Sequence, residues 1–194
     1  MSLSYAIARI LAAFSEKRAA EMNLPVAIAL ADAEGGLVYF GRMDDALPAS
    51  NAIAIAKAYT AAVFRMSTRK LGELAQPGKM LYGVEHSLNE RIVLFGGGLP
   101  LQCQNRIVGA VGISGGTVDE DIDVARAACA ALQEMENWRE YLAPLLSRID
   151  IPQSRRRNVA AALEEALAQT DDPALKTLAP IVAGSLRLEG PDDG

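Results

Sequence analysis

The chain holds one histidine, His86, so any chemistry that needs an imidazole, general acid–base work or metal ligation, must use it. It sits in Leu81-Tyr82-Gly83-Val84-Glu85-His86-Ser87, a loop-like stretch in which Glu85 or Ser87 could orient the ring. Lys57 is the second residue to stand out. It shares a helical face with Ile53, Thr60 and Phe64, which places an ammonium in an apolar row. A lysine so placed either runs its stem past its neighbours or binds a ligand carboxylate. Gly96-Gly97-Gly98 serves as a turn or lets a flat ligand approach the backbone. It lacks the GxxxxGK[ST] or GxGxxG context of a nucleotide loop. Ser114-Gly115-Gly116-Thr117 offers backbone N–H groups at a helix start, as a cap or an anion seat. Asp32, Asp44 and Asp45 bracket a hairpin and read as turn formers.

Other chemistries are excluded by residue type and spacing. Cys103, Cys129 and His86 fall in three separate segments without the paired spacing of a zinc site. There is no GxSxG elbow for nucleophilic catalysis. The net charge is -5, from 19 basic and 24 acidic side chains, and the one basic run is Arg155 to Arg157. Phosphate neutralisation needs a concentrated basic face, so nucleic acid is not an expected partner. No stretch of about 18 residues is apolar throughout, so no membrane span is expected. The start lacks a basic-then-apolar leader, and the expected location is cytoplasmic. With 194 residues, 51% of them hydrophobic, the chain can bury a core without disulfide or metal.

These residues must be positioned by regular elements. Ile7, Ile10, Leu11 and Phe14 recur at helical spacing and predict an amphipathic helix to about residue 22, before Pro25. Val26, Ile28 and Leu30, then Leu37 to Phe40, with Ala33-Glu34-Gly35-Gly36 between them, predict a β-hairpin over 26–42. Ser50 is placed to cap a helix running to about Met66, which is apolar on two sides. A short helix follows over Thr68 to Leu74. Residues 91–95 and 106–113 read as two more strands, and Thr117 with Asp119 to Asp121 opens another helix. Pro144 and Pro152 interrupt the pattern beyond Trp138. Two further helices are expected over 154–169 and 173–187, with a disordered tail over 189–194. The class is α+β, with four or five mainly antiparallel strands covered by helices.

Several motifs occur together and in order: Arg42-Met43-Asp44, Lys57-Ala58-Tyr59-Thr60-Ala61-Ala62, Phe95-Gly96-Gly97-Gly98-Leu99-Pro100, and Gly109 to Gly116 with Asp119 to Asp121. Over about residues 3–135 the chain thereby resembles the GlcG/HbpS/PduO C-terminal family of haem-binding or haem-degrading-like domains. The resemblance implies a profilin-like antiparallel sheet covered by helices, self-association into a homo-oligomer, and a small-molecule ligand, haem or a related tetrapyrrole. It also implies a role for Arg42, Lys57 and the loop Gly96, Gly97 and Gly98 in holding that cofactor. Asp45 stands where many members carry glycine, and Gln104-Asn105 replaces the usual Asp-Gly hairpin turn. PduO-like members are expected to carry a haem ligand in the N-terminal helix, which here holds no histidine. The iron ligand is then His86, with Tyr82 or Met43 as the other axial candidates.

The expected organisation is a GlcG/PduO C-terminal-like domain over 1–135, a helical extension over 136–188 and the tail. The apolar faces of the extension (Leu142, Leu145, Leu146; Leu163, Leu167; Leu175, Leu178) must bury against the domain or a partner. Haem binding as an accessory protein is the leading functional expectation. The alternative is a noncatalytic oligomeric assembly or scaffold protein in a glycolate, diol or cobalamin-linked pathway. An enzyme acting on a small carboxylate or aldehyde would draw on Lys57 or His86 as acid or base, and is the least supported.

Overall fold

The computed structural model describes residues 3–88 and 91–148 and, beyond them, 155, 158–162, 165, 169 and 183–184. Helix α1 (Tyr5–Glu21) starts at Ser4, whose hydroxyl accepts from the Ile7 N–H at 3.4 Å. Its buried stripe is Ile7, Ala8, Leu11, Ala12, Ser15 and Ala19. Strands β1 (Ala27–Asp32) and β2 (Leu37–Arg42) form the expected hairpin. Helix α2 (Ser50–Phe64) and the short α3 (Thr68–Leu74) follow, then a single 3-10 turn at Val84–His86. Strands β3 (Gly98–Cys103) and β4 (Arg106–Ser114) precede the long helix α4 (Val118–Arg148). The four strands make one antiparallel sheet in the order β2-β1-β4-β3. This is the α+β architecture that the sequence predicts.

Helices cover both faces. Ala27, Ala29 and Ala31 of β1 join Ala110 and the α2 residues Ala54, Ala58, Ala61 and Ala62 in one buried cluster. Residues of the other parity face the opposite way: Tyr39, paired with Leu30, lies near Glu16 and Arg9 of α1. The α2 side is packed unusually close. A Cβ at Gly112 would run into the α2 backbone at Ala54 and Ala58. On the α1 side, Ser15 Oγ donates to the Val124 carbonyl (3.2 Å) and Arg18 pairs with Asp123 (2.5 Å), fastening α1 to α4.

Four expectations are corrected. The third strand is Gly98–Cys103, not residues 91–95. The 91–95 segment is rich in β-formers, but its backbone groups are taken by α2: the Val93 N–H donates to Thr60 Oγ1 (3.1 Å), and that hydroxyl lies 3.3 Å from the Arg91 carbonyl. This also explains why α2 is apolar on two sides, since the sheet covers one and this segment the other. Ser50 is the first residue of α2 rather than its cap; Ala49 holds that place and makes no side-chain capping bond. The helix stops at Phe64 because Arg65 adopts a left-handed conformation (φ 54°). Finally, α4 continues through Pro144 to Arg148. A proline forfeits its own backbone hydrogen bond and strains the preceding turn without necessarily ending a long helix.

The turn between β3 and β4 survives its unusual sequence. Gln104 and Asn105 have φ of 50° and 58°, the pair of positive values that a type I′ hairpin turn requires. Asp45 has φ 66°, a left-handed conformation.

Two compact units are distinguished, Ser2–Ala130 and Ala131–Gly194. In the second, Met135 and Ala160 are buried, and Gly184 lies close against the Met135 side chain. Arg155, residues 158–162 and Glu165 are helical within the expected 154–169 helix, as are Ala183 and Gly184 within 173–187. The rest of those helices, the 189–194 tail and the side chains of Leu142, Leu145, Leu146, Leu163, Leu167, Leu175 and Leu178 lie outside the described residues.

Candidate functional site

The residues singled out in the sequence fall in three places. Lys57 and the Gly96–Gly98 loop come together in the interior. Lys57 is fully buried, and its Nζ donates to Asp121 Oδ2 at 2.7 Å and to the Ile113 carbonyl at 2.8 Å. The third side of the ammonium faces the Phe95 ring, 4.9 Å from its centroid. Asp121 Oδ1 in turn accepts from the Gly116 N–H at 3.0 Å. Burial pushes the lysine below its usual range, and the pairing with Asp121 only partly opposes this.

Gly97 is what lets this arrangement close. Its φ is 111°, and a Cβ there would stand 2.6 Å from Lys57 Nζ and 2.7 Å from the Ile113 oxygen. Gly96 and Gly98 are buried too, packed against Ile122 and against Thr68 and Lys57 respectively. The space at Gly97 and Gly98 is therefore filled by protein atoms, while Gly96 also borders a hollow of about 310 Å³ with Leu94 and Phe95, and the ammonium of Lys57 already has its anion. The anion seat at the start of α4 is likewise occupied from within: Gly116 N–H goes to Asp121, and Thr117 with Glu120 forms a reciprocal capping box. Those bonds hold the Glu120 carboxyl below its ordinary value.

The second place is the turn-rich stretch after α3. His86 is 77% exposed, with Nε2 3.9 Å from Glu85 Oε1, and Tyr82 is 66% exposed. Met80 and Leu88 stand out beside them. This stretch leaves α3, which packs on α2 and β3.

The third place is a groove of about 800 Å³ beside α1. Ala13, Glu16, Lys17 and Ala20 form its helical wall, at the i, i+3, i+4, i+7 spacing of one helix face. Arg42, Met43 and Asp44, at the end of β2, and Asn23 to Pro25 complete its lining. Arg42 and Met43 were legible as candidates; Lys17 and the flat alanine positions were not, because helical spacing alone does not say which polar face borders a hollow. Asp121 was legible as an acid favourable to a helix start and as part of the Asp119 to Asp121 motif, not as the partner of Lys57. Among the described residues, no group of three or more His, Cys, Asp or Glu side chains is placed to hold a metal ion.

The model of the haem degrading protein HbpS-like family matches residues 3–130. The chain belongs to the HbpS-like family. A Citrobacter freundii protein described as an uncharacterized 15.0 kDa protein in the dhaT-dhaS intergenic region is 40% identical over 134 residues, 69% of this chain and 94% of that protein. The corrinoid adenosyltransferase PduO of the same organism is 40% identical over 132 residues, but this chain spans only 39% of PduO. A solved PduOC–haem complex superposes with a TM-score of 0.64 at 38% identity, covering 68% of this chain and 94% of PduOC. Haem is thus bound by a relative of closely similar fold. Among the described residues no helix is long and apolar enough to cross a membrane.

Proposed function

We propose that this protein is an accessory protein that binds haem or a related tetrapyrrole, acting in the cytoplasm as a homo-oligomer. The observation that carries the reading is the groove between α1 and the end of β2, in a chain 38% identical to a protein solved with haem. Its donor set fits the group. Lys17 and Arg42 both line it and can each pair with a propionate, while Ala13, Ala20, Leu24 and Pro25 supply apolar surface for a macrocycle. Of the iron ligands expected from the sequence, Met43 lines this groove, whereas His86 and Tyr82 lie in the stretch after α3. Bound haem would supply redox or ligand-exchange chemistry; the residues of this chain hold and orient it. Lys57, which the resemblance places among the ligand contacts, serves instead as an internal tie in this reading.

The alternative, a noncatalytic assembly protein in a glycolate, diol or cobalamin-linked pathway, draws support from the exposed Met80, Tyr82 and Leu88 and from relatives named for dhaT–dhaS and PduO. Titrating the full chain with haemin, followed by Soret absorbance and light scattering, separates the two. A saturable Soret shift on a multimer, weakened at least tenfold by Arg42→Ala with Lys17→Ala, is the expected result. A multimer with no saturable shift would favour the assembly reading and overturn haem binding.

A further inference from the structure

We propose that Met43, not His86, is the side chain that meets the metal of a tetrapyrrole in the α1 groove. The inference rests on the reading of that groove as the binding site. Side chains that serve as axial ligands to haem iron are histidine, cysteine, methionine and tyrosine. Of these types, only Met43 is among the residues lining the groove. His86 and Tyr82 follow α3, which packs on α2 and β3, whereas the groove is walled by α1, which packs on β1 and β2. Neither His86 nor Tyr82 lines the hollow.

Met43 is also held in place before any ligand arrives. Its N–H donates to the Val26 carbonyl at 3.0 Å, extending the β1–β2 ladder one residue past Arg42. Its carbonyl accepts from the Ala46 N–H at 3.2 Å, closing a turn in which Asp45 takes the left-handed conformation. The backbone is therefore pinned on both sides while the side chain is half-buried on the groove wall. The charged groups that face it are Arg42 and Asp44 from its own segment and Glu16 and Lys17 from α1, two of each sign. Attraction for carboxylates is then local to Lys17 and Arg42 rather than a field of the whole groove. A thioether ligand favours the reduced metal more than an imidazole does, so the bound iron would be the more easily reduced for it.

The test uses the full chain with haemin, reading the ferric and ferrous absorbance spectra of the bound haem. Met43→Leu keeps the bulk and is expected to shift both spectra toward those of haem without a protein ligand; Met43→His is expected to give the high-spin ferric spectrum of haem held by one imidazole. His86→Ala is expected to leave the spectrum unchanged. Circular dichroism of each variant confirms that it folds. Haemin binding with a spectrum insensitive to Met43→Leu, or one lost in His86→Ala, overturns the assignment and leaves the groove reading standing. Absence of any saturable Soret shift in the natural chain overturns both.

Discussion

Replacing Lys57 by methionine keeps most of the stem's bulk and removes the ammonium, which isolates the energetic role of the interior ion pair. Both partners are out of water: the Lys57 side chain is 0% exposed and that of Asp121 4%. The variant loses the 2.7 Å bond to Asp121 and the 2.8 Å bond to the Ile113 carbonyl, leaving a buried carboxylate held by the Gly116 N–H alone. Breaking a buried pair from one side costs about 3–5 kcal/mol. That is a large share of the roughly 5–15 kcal/mol by which a domain is stable. With a urea m-value of about 2 kcal/mol/M, the unfolding midpoint should fall by about 2 M.

Adding Asp121→Asn removes the second charge while its amide oxygen can still accept from Gly116. The double variant should recover to within about 1–2 kcal/mol of the natural chain, because the desolvation of two ions is no longer required. The pH dependence gives an independent reading. Burial lowers the Lys57 pKa below 10.5 in the folded state, so between that lowered value and 10.5 the unfolded chain binds more protons. The contribution of Lys57 to stability therefore rises with pH through that window, and Lys57→Met should flatten the rise. Urea unfolding by far-UV circular dichroism measures all of this. A single variant within about 1 kcal/mol of the natural chain, or a double variant no better than the sum of the singles, would refute the argument.

Two further outcomes follow from the same interior. Thr60→Val deprives the Val93 N–H of its acceptor and should cost about 1–3 kcal/mol; amide exchange of the 91–95 peptide should accelerate, and unchanged protection there would contradict the clamp. Burial pushes the Cys129 thiol up to about 11, so iodoacetamide at pH 8 should leave it largely unmodified in the folded protein and react with it in urea. Rapid native labelling of Cys129 would be incompatible with its position against the Pro100 carbonyl.

The hairpin over β1 and β2, the cap at Thr117 and the left-handed Asn105 are readable in the sequence because each rests on neighbours within a few residues. Lys57 was readable as an anomaly, an ammonium in an apolar row, but its partner lies 64 positions away and local pattern cannot supply it. The 91–95 segment misled for a related reason. Its β-forming side chains are real, yet a hydroxyl on α2 captures its backbone, and that capture exists only once the helix lies beneath it. In the groove, Arg42 and Met43 stood in a recognisable motif. Lys17, Ala13 and Ala20 became visible only when α1 was placed beside the end of β2, in a hollow whose lining does not include His86.

The seam between α2 and β4 constrains how this protein can vary. In most cores the damaging change is a trimmed side chain; here Ala54, Ala58, Ala110 and Gly112 leave almost nothing to trim, and backbone already meets backbone. Nearly every substitution available to these positions adds atoms, and each addition must push the helix off the sheet. Because Lys57 reaches its carboxylate from that same helix, a lifted α2 would also draw the ammonium away from Asp121. Tolerance at this seam is therefore one-sided: drift toward larger residues is closed to it, and the spacing of helix and sheet is inherited as a fixed dimension.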